Sequence, residues 1–363
     1  MNPQKGSPKA AKQRVTIRDI ADEVGLHFTT VARALKDSDL VKPDTAKLVK
    51  EAAGRLGYQA DPFVSAFCSY RSSHLKQGYR GNLSWINGFH TPDFFEVEAK
   101  GYYRECYEGA KERCEELGYK LVPFWFGEPG MSAKRASQII HSRGEAGLIV
   151  APMPPSIDKL DMRWDSFCSV RIGYSVPEVP LTNVVSDHFA NMKLLCDKLE
   201  SLGFGRIGFA SKKWIDDRVE NKWSGAYQLR RYGADGSRYL PLFLSQDEDD
   251  FHAFESWMHR NKPEVIILAG MTSYPEYLKG MGLSVPEDVK LAFVSLEHDQ
   301  VGNYAGIDQE AKVVGAVAVD LLAGIVRRSQ VGLDSAPKTI MTPGFWRDGA
   351  SCSRPADLGS VSS

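Results

Sequence analysis

The sequence predicts a small three-helix domain followed by a large α/β core made of two doubly wound lobes. Helix signals are closely spaced from residue 15 to residue 58, whereas strand and helix signals alternate from Gly81 onward. Strands that alternate with helices over short links are typical of parallel sheets covered by helices on both faces. The alternating part, residues 81–352, is longer than one such unit usually is, so we expect two lobes.

Caps, a turn and a proline mark the three N-terminal helices. Thr16 and Asp19 resemble a capping box, with Asp in place of the usual Glu or Gln, and open the first helix; Gly25 supplies the turn after it. The second helix is predicted over 28–35, and the third begins at Pro43. The residues predicted to form their shared core are Ile17, Ile20, Ala21, Val24, Val31, Leu35, Val49 and Leu56.

Seven apolar runs in the core predict strands, and amphipathic helices lie between many of them. The strands are predicted at 83–87, 120–126, 146–151, 168–174, 206–210, 264–270 and 290–296. Helices are predicted at 101–117, 187–202 and 220–232.

Charge is distributed unevenly along the chain. The formal net charge is -1, but residues 1–80 carry 14 Lys+Arg against 8 Asp+Glu, which leaves 31 against 38 for the rest. One basic end suits a polyanionic partner, and the acidic remainder does not. Residues 1–14 are rich in Lys, Pro, Gly and Ala and are predicted to be a disordered basic arm, and 353–363 a flexible tail.

Several classes of protein are disfavoured. No run approaches the roughly 20 apolar residues of a membrane helix, and the opening MNPQKGSPKAAKQR lacks the apolar segment of a secretory signal, so we expect a cytoplasmic protein with no membrane partner. The six cysteines are scattered, with no C-x-x-C and no histidine pair at ligand spacing. We therefore expect reduced thiols and no metal site.

Motifs for catalysis or cofactor binding are also missing. GFGRIG at 203–208 has the letters of a dinucleotide fingerprint, but it follows a helix and precedes a strand, the reverse of the order that phosphate binding requires. The acidic run at 246–250 is interpreted as a solvated loop that leads into a helix. We expect no cofactor, no catalytic residue and no enzyme activity.

The N-terminal helices have the spacing of a helix-turn-helix. Ala21, Gly25 and Val31 are placed so that a small residue and a glycine let two helices pack closely at the turn. A second helix lying in the major groove of DNA would present His27, Phe28 and Thr29 to base edges. The alternative is a plain three-helix domain in which Phe28 contacts another protein.

The segment VTIRDIADEVGLHFTTVARALKD, with LGYQADP after the third helix, resembles the N-terminal domain of the lactose-repressor (LacI/GalR) family. The resemblance continues in family order through GAKERCEELGYKL, KLESLGFGRIGFA, GLSVPEDVKLAFVSLE, GIDQEAKVVGAVAVDLL and PGFWRDGAS. It implies a periplasmic-binding-protein-like core, 81–352, whose lobes are joined by three crossovers. Lobe one is expected at about 81–185 and 308–335, and lobe two at about 186–307 and 336–352.

The resemblance implies a transcriptional regulator, of the repressor kind, that binds double-stranded operator DNA as a homodimer. Phe28 and Thr29 match the family's base-reading pair, and Arg33 matches a later arginine of its recognition helix. Residues 59–80 match the hinge and linker, with Phe67 where the family inserts an apolar wedge into DNA; packing of Phe67 against protein is the alternative. The expected DNA contacts are Thr16, Arg18, His27, Phe28, Thr29, Thr30, Arg33 and Phe67.

A small effector in the cleft between the lobes is implied as well, either a sugar or a related metabolite. Lys222 stands where the family has an effector-contacting arginine, and Glu297 stands where it has an aspartate. Aromatic and polar residues around the end of the first strand would suit a sugar. The expected effector contacts are Trp85, Asn87, Phe89, His90, Arg218, Lys222, Glu297 and Gln309.

Two other functions fit the same two-lobed core. One is a solute-binding protein with an incidental N-terminal extension. The other is an enzyme with an acid–base pair in the cleft.

Overall fold

The computed structural model describes residues 17–27, 30–31, 34–35, 41–56, 79–157, 159–233, 236–246, 250–270, 273–297 and 300–352. The chain divides into two compact units, Met1–Gln77 and Gly78–Ser363. None of the helices in the described ranges is long and apolar enough to cross a membrane.

The described part of the N-terminal unit consists of helices and the turns beside them. Helix α1 spans Ile17–Val24 and helix α2 spans Pro43–Leu56. Gly25 follows α1 with φ +65°, a backbone conformation that favours glycine, and turns the chain toward a second helical segment that includes Thr30 and Val31. The buried residues that join these helices are Ile20, Ala21, Val31, Ala34, Val49, Ala52 and Ala53. Apart from Ile17, whose side chain lies outside the described part, the core residues predicted from the sequence are buried or partly buried here.

Lobe one is built on a six-stranded parallel sheet of order β11-β5-β4-β3-β1-β2. Its strands are β1 Gly81–Asn87, β2 Tyr119–Trp125, β3 Gly147–Val150, β4 Ser169–Ile172, β5 Asn183–Ser186 and β11 Thr339–Thr342. Its helices are α3 Phe94–Val97, α4 Gly101–Glu116, α5 Ala133–Ser142 and α11 Ala311–Arg327.

Lobe two has a second six-stranded sheet of order β12-β10-β9-β8-β6-β7, parallel except for the antiparallel edge strand β12. Its strands are β6 Ile207–Lys212, β7 Phe243–Ser245, β8 Val265–Ala269, β9 Lys290–Phe293, β10 Ala305–Asp308 and β12 Phe345–Arg347. Its helices are α6 His188–Ser201, α7 Lys213–Arg218, α8 Lys222–Arg231, α9 Phe251–Asn261 and α10 Tyr274–Gly280.

Two glycines allow two helices of lobe one to pack very closely against each other. Gly109 of α4 faces the backbone of Lys312, and Gly315 of α11 faces the backbone of Cys106. A Cβ at either glycine would lie 2.0 Å from a carbonyl oxygen. Because no side chain fits in that space, the two helices cross with their backbones nearly in contact.

The chain passes between the lobes three times, near residues 187, 309 and 343. The expected lobe boundary at 336 is wrong. Strand β11 pairs in parallel with β5, with Ile340 opposite Val184, so residues 339–342 complete the sheet of lobe one. The third crossover therefore comes after Thr342.

Candidate functional site

A cavity of about 250 Å³ lies between the two lobes, where the carboxyl ends of their strands face each other. Residues that directly follow strands line it, as do the first turns of α4 and α6, which is the crevice where open α/β sheets bind ligands. The lining residues are Tyr102, Tyr103, Pro152, Gly173, Tyr174, Ser175, His188, Trp214, Ile215, Arg218, Val219, Trp223, Gly270, Phe293, Ser295, Glu297, Gln300 and Gln309.

Three buried side chains on this lining have an unused polar atom. Within the described part of the chain, no hydrogen-bond partner is found for His188 Nδ1, Trp223 Nε1 or Gln309 Oε1. The other end of the Gln309 amide donates to the carbonyl of Val294 (3.3 Å), which fixes its oxygen as the free end. Buried polar atoms are nearly always paired, so three of them on one cavity indicate a site that a ligand completes.

His188 presents a neutral ring to the cavity. Burial, with a smaller contribution from the charge of Lys222, lowers the pKa of His188 to about 3. The imidazole packs edge-on against Trp223, with ring centroids 5.1 Å apart. A neutral imidazole next to an indole can hydrogen-bond a ligand without adding charge.

Lys222 reaches the cavity through an aromatic ring. Its ammonium lies 4.3 Å from the centroid of the Tyr174 ring and also pairs with the carboxylate of Glu220. The lysine therefore supports Tyr174, which lines the cavity, and does not itself form part of the wall.

Arg218 connects the lobes across the cavity. Its guanidinium donates to the carbonyl oxygen of Met153 (2.8 Å) and lies 3.4 Å from the hydroxyl of Tyr103. The Met153 backbone N–H in turn donates to Ser175 Oγ (3.0 Å). The guanidinium of buried Arg171 donates to the carbonyl oxygen of Ser175 (3.1 Å) and so stabilises the same turn.

Three of the eight residues expected to contact an effector line the cavity: Arg218, Glu297 and Gln309. Lys222 lies directly behind the wall. The other four come from the first strand and the loop after it, and their side chains make contacts away from the cavity.

The expectation for Trp85, Asn87, Phe89 and His90 is therefore corrected. Trp85 is fully buried in the lobe-one core. The Asn87 amide donates to the carbonyl of Thr91 (2.8 Å) and accepts from the Phe89 N–H (2.9 Å), so it closes its own loop. The Phe89 ring stacks on Phe94 at 3.8 Å between centroids, and His90 pairs with Glu98 at 2.8 Å on the surface.

The sequence analysis missed most of the aromatic wall, namely Tyr102, Tyr103, Tyr174, His188, Trp214 and Trp223. Tyr174 closes the predicted strand 168–174, so its position just past a strand end was a usable signal. His188 follows β5, a four-residue strand that was not predicted. Trp223 lies one residue after Lys222, on a helix whose orientation the sequence did not reveal.

In the N-terminal unit, His27 begins the second helical segment. Its carbonyl accepts from the N–H groups of Thr30 (2.9 Å) and Val31 (3.2 Å). The His27 side chain is exposed and that of Thr30 partly exposed. Arg18 lies in α1, but its side chain is outside the described part, as are Thr16, Phe28, Thr29, Arg33 and Phe67.

Comparison with known proteins identifies the N-terminal unit. The family model "Bacterial regulatory proteins, lacI family" matches residues 16–61. HTH-type transcriptional regulator GalS of Salmonella typhimurium is 40% identical over 61 residues, which are 17% of this chain and 18% of that protein. HTH-type transcriptional regulator RegA of Clostridium saccharobutylicum is 27% identical over 107 residues, 30% of this chain and 27% of that protein. The matched stretches thus span about a fifth to a quarter of these relatives.

Solved structures share the fold of the whole chain. The lac repressor dimer bound to operator and the anti-inducer ONPF is 14% identical, with a TM-score of 0.54, covering 94% of this chain and 100% of that one. The transcriptional regulator CelR in complex with cellobiose is 18% identical, with a TM-score of 0.53, covering 93% and 100%. At such identities the likeness establishes the fold: a helix-turn-helix domain and a periplasmic-binding-protein-like core of two α/β lobes. The family match identifies residues 16–61 as a domain of the lacI family of bacterial regulatory proteins.

Proposed function

We propose that the chain is a sequence-specific, DNA-binding transcriptional repressor that acts as a homodimer on double-stranded operator DNA. The observation that carries this proposal is the family match over 16–61, which coincides with the three packed helices of the N-terminal unit. In this proposal Phe28 and Thr29 contact base edges, Arg18 and Arg33 contact phosphates or bases, and Phe67 enters the minor groove.

A small effector controls this repressor from the cleft between the lobes. Support comes from the cavity itself, whose wall combines aromatic faces with unpaired polar atoms on His188, Trp223 and Gln309. Aromatic faces with a few directed polar groups suit a carbohydrate. Because Arg218 crosses the cavity to Met153, a ligand there changes the contact between the lobes, and a change in lobe geometry is the means by which a distant site is controlled. No catalytic step is assigned to the cleft.

Selection from a random duplex DNA library with the full-length chain tests the proposal. We expect an enriched pseudo-palindrome, because a symmetric dimer reads two half-sites. Enrichment of no sequence over the starting library would refute sequence-specific recognition.

A further inference from the structure

A second cavity, of about 140 Å³, lies on lobe one, outside the cleft between the lobes. Helix α5 forms one side of it, and the segment that leads into β4 forms the other. The lining residues are Ser137, Gln138, His141, Arg163, Ser166 and Phe167, and none of them lines the cleft. This cavity is therefore separate from the proposed effector site.

Two buried residues form the floor of this cavity. Ser137 is 2% exposed; its hydroxyl donates to the carbonyl oxygen of Ala133 (2.8 Å) and accepts from the backbone N–H of Arg163 (3.0 Å). Phe167 is also buried, and its ring meets the His141 ring edge-on, with centroids 6.4 Å apart. Because Ser137 ties α5 to Arg163, the two sides of the cavity are fixed relative to each other, and Phe167 offers a ligand an apolar surface.

Three polar side chains around the rim are unpaired. Gln138, His141 and Arg163 are exposed, and within the described part of the chain no hydrogen bond or ion pair involves the Gln138 amide, the His141 ring nitrogens or the Arg163 guanidinium. The described lining includes no carboxylate; the nearby carboxylate of Asp165 lies 3.4 Å from the Ser166 hydroxyl. The rim thus carries the positive charge of a guanidinium and further hydrogen-bond donors, with no negative charge on the lining to balance them.

An anion with a small apolar body matches these features. A guanidinium forms two parallel hydrogen bonds with a carboxylate, a pairing that adds geometric specificity as well as affinity. An apolar cavity of about 150 Å³ holds one benzene molecule, so the room available here suits one ring or a short carbon chain. Inorganic phosphate would leave the apolar floor unused, and a nucleotide would be too large.

We propose that this cavity is a second binding site, which takes a small carboxylate. Arg163 binds the carboxylate at the rim, Gln138 and His141 donate further hydrogen bonds to it, and the carbon body lies against Phe167. The bound molecule links α5 to the segment between β3 and β4, and that segment also supplies Pro152 to the cleft wall. An occupant therefore stabilises, from outside the cleft, a segment that borders it.

Benzoate and its neutral analogue benzyl alcohol test the proposal, by ligand-observed NMR titration of the full-length chain. We expect benzoate to bind with a dissociation constant on the order of 1 mM, and benzyl alcohol about tenfold more weakly because it lacks the charge. Arg163→Gln should weaken benzoate binding about tenfold and leave the circular dichroism spectrum unchanged, since its side chain is exposed. Arg135→Gln removes an exposed arginine of α5 that does not line the cavity, and this matched control should bind benzoate as wild type does.

Several outcomes would overturn the proposal. One is that benzoate does not bind the wild-type chain, and another is that benzyl alcohol or inorganic phosphate binds as tightly as benzoate. Wild-type affinity in Arg163→Gln would place the benzoate at another site, such as the cleft. Equal losses in Arg163→Gln and Arg135→Gln would show a response to overall charge and not to this cavity. DNA selection does not depend on these readouts, so the two proposals fail separately.

Discussion

Arg218 of lobe two donates a hydrogen bond of 2.8 Å to the backbone carbonyl of Met153 in lobe one. This bond spans the cavity, and its acceptor is held in place by Ser175, whose hydroxyl oxygen accepts from the Met153 N–H. The guanidinium is thus a direct link between the two lobes, in addition to the three crossings of the chain.

Arg218→Ala should loosen the two lobes. A hydrogen bond from a charged donor contributes about 1.5–3 kcal/mol, less here because the arginine is partly exposed. We expect a loss of about 1 kcal/mol in the free energy of unfolding and a larger radius of gyration by small-angle X-ray scattering. Arg113→Ala, which breaks ion pairs with Asp320 and Glu116 inside lobe one, should leave the radius unchanged. Equal radii of gyration for Arg218→Ala and the wild type would show that this hydrogen bond does not hold the lobes together.

His188 should make the protein acid-sensitive. In the folded chain its pKa is about 3, because burial and, to a smaller extent, the charge of Lys222 lower it. In the unfolded chain the pKa of a histidine is about 6.5. Between these values the unfolded chain binds a proton that the folded chain does not. The stabilisation is therefore complete above about pH 6.5 and declines as the pH falls toward 3.

Urea unfolding at pH 7 and pH 5 measures this effect. Wild type should lose about 2 kcal/mol more than His188→Gln between the two values. His259→Gln, at an exposed position, should keep the wild-type dependence. A His188 variant with an unchanged pH dependence would contradict the buried, neutral ring.

Gly315→Ala should destabilise the core strongly. The added Cβ would lie 2.0 Å from the carbonyl oxygen of Cys106, so α4 and α11 must separate at a cost of about 1–3 kcal/mol or more. Gly280→Ala is the matched control, since no described atom lies within 4 Å of its Cβ, and it should be neutral or stabilising by up to about 1 kcal/mol. Chemical denaturation measures the free energy of unfolding of both variants. Similar losses of stability in Gly315→Ala and Gly280→Ala would disprove the close crossing of α4 and α11.

Phe28→Ala should weaken binding to the selected operator by about 1–3 kcal/mol and spare the salt-dependent, non-specific component. The physical reason is that a side chain reading base edges contributes nothing on random DNA. Leu48→Ala, at an exposed position on α2, should bind as wild type does. Fluorescence anisotropy with selected and scrambled duplexes measures the specific and the non-specific binding affinity. A uniform loss on all DNA would instead assign Phe28 to the folding of the domain.

Local patterns in the sequence predicted much of the fold. The bounds of α1, α2 and the seven predicted strands agree with the structure to within a few residues, because their caps and apolar runs are long enough to be distinctive. Strands such as β5 and β11 were not predicted. Each has four residues, and the pairing of Ile340 with Val184 joins positions far apart in sequence.

The site was harder to predict, since it depends on side-chain direction and on competition for partners. Trp85 and Asn87 occupy the strand that a ligand site would use, but one points into the core and the other closes its own loop. Arg218 and Gln309, which the resemblance to the family suggested as effector contacts, lie in the cavity wall. Trp223 was missed because the rotation of its helix is set by tertiary packing.

Gel shift of the selected duplex with chain 1–363 and chain 80–363 tests the central claim most directly. The full chain should shift the duplex at nanomolar concentration, in the range of about 10⁻⁸–10⁻¹¹ M typical of specific binding. The shorter chain, which retains both lobes and the cavity, should fail to shift it. Equal binding by the shorter chain would contradict the account, because the lobes and not the N-terminal helices would then recognise DNA.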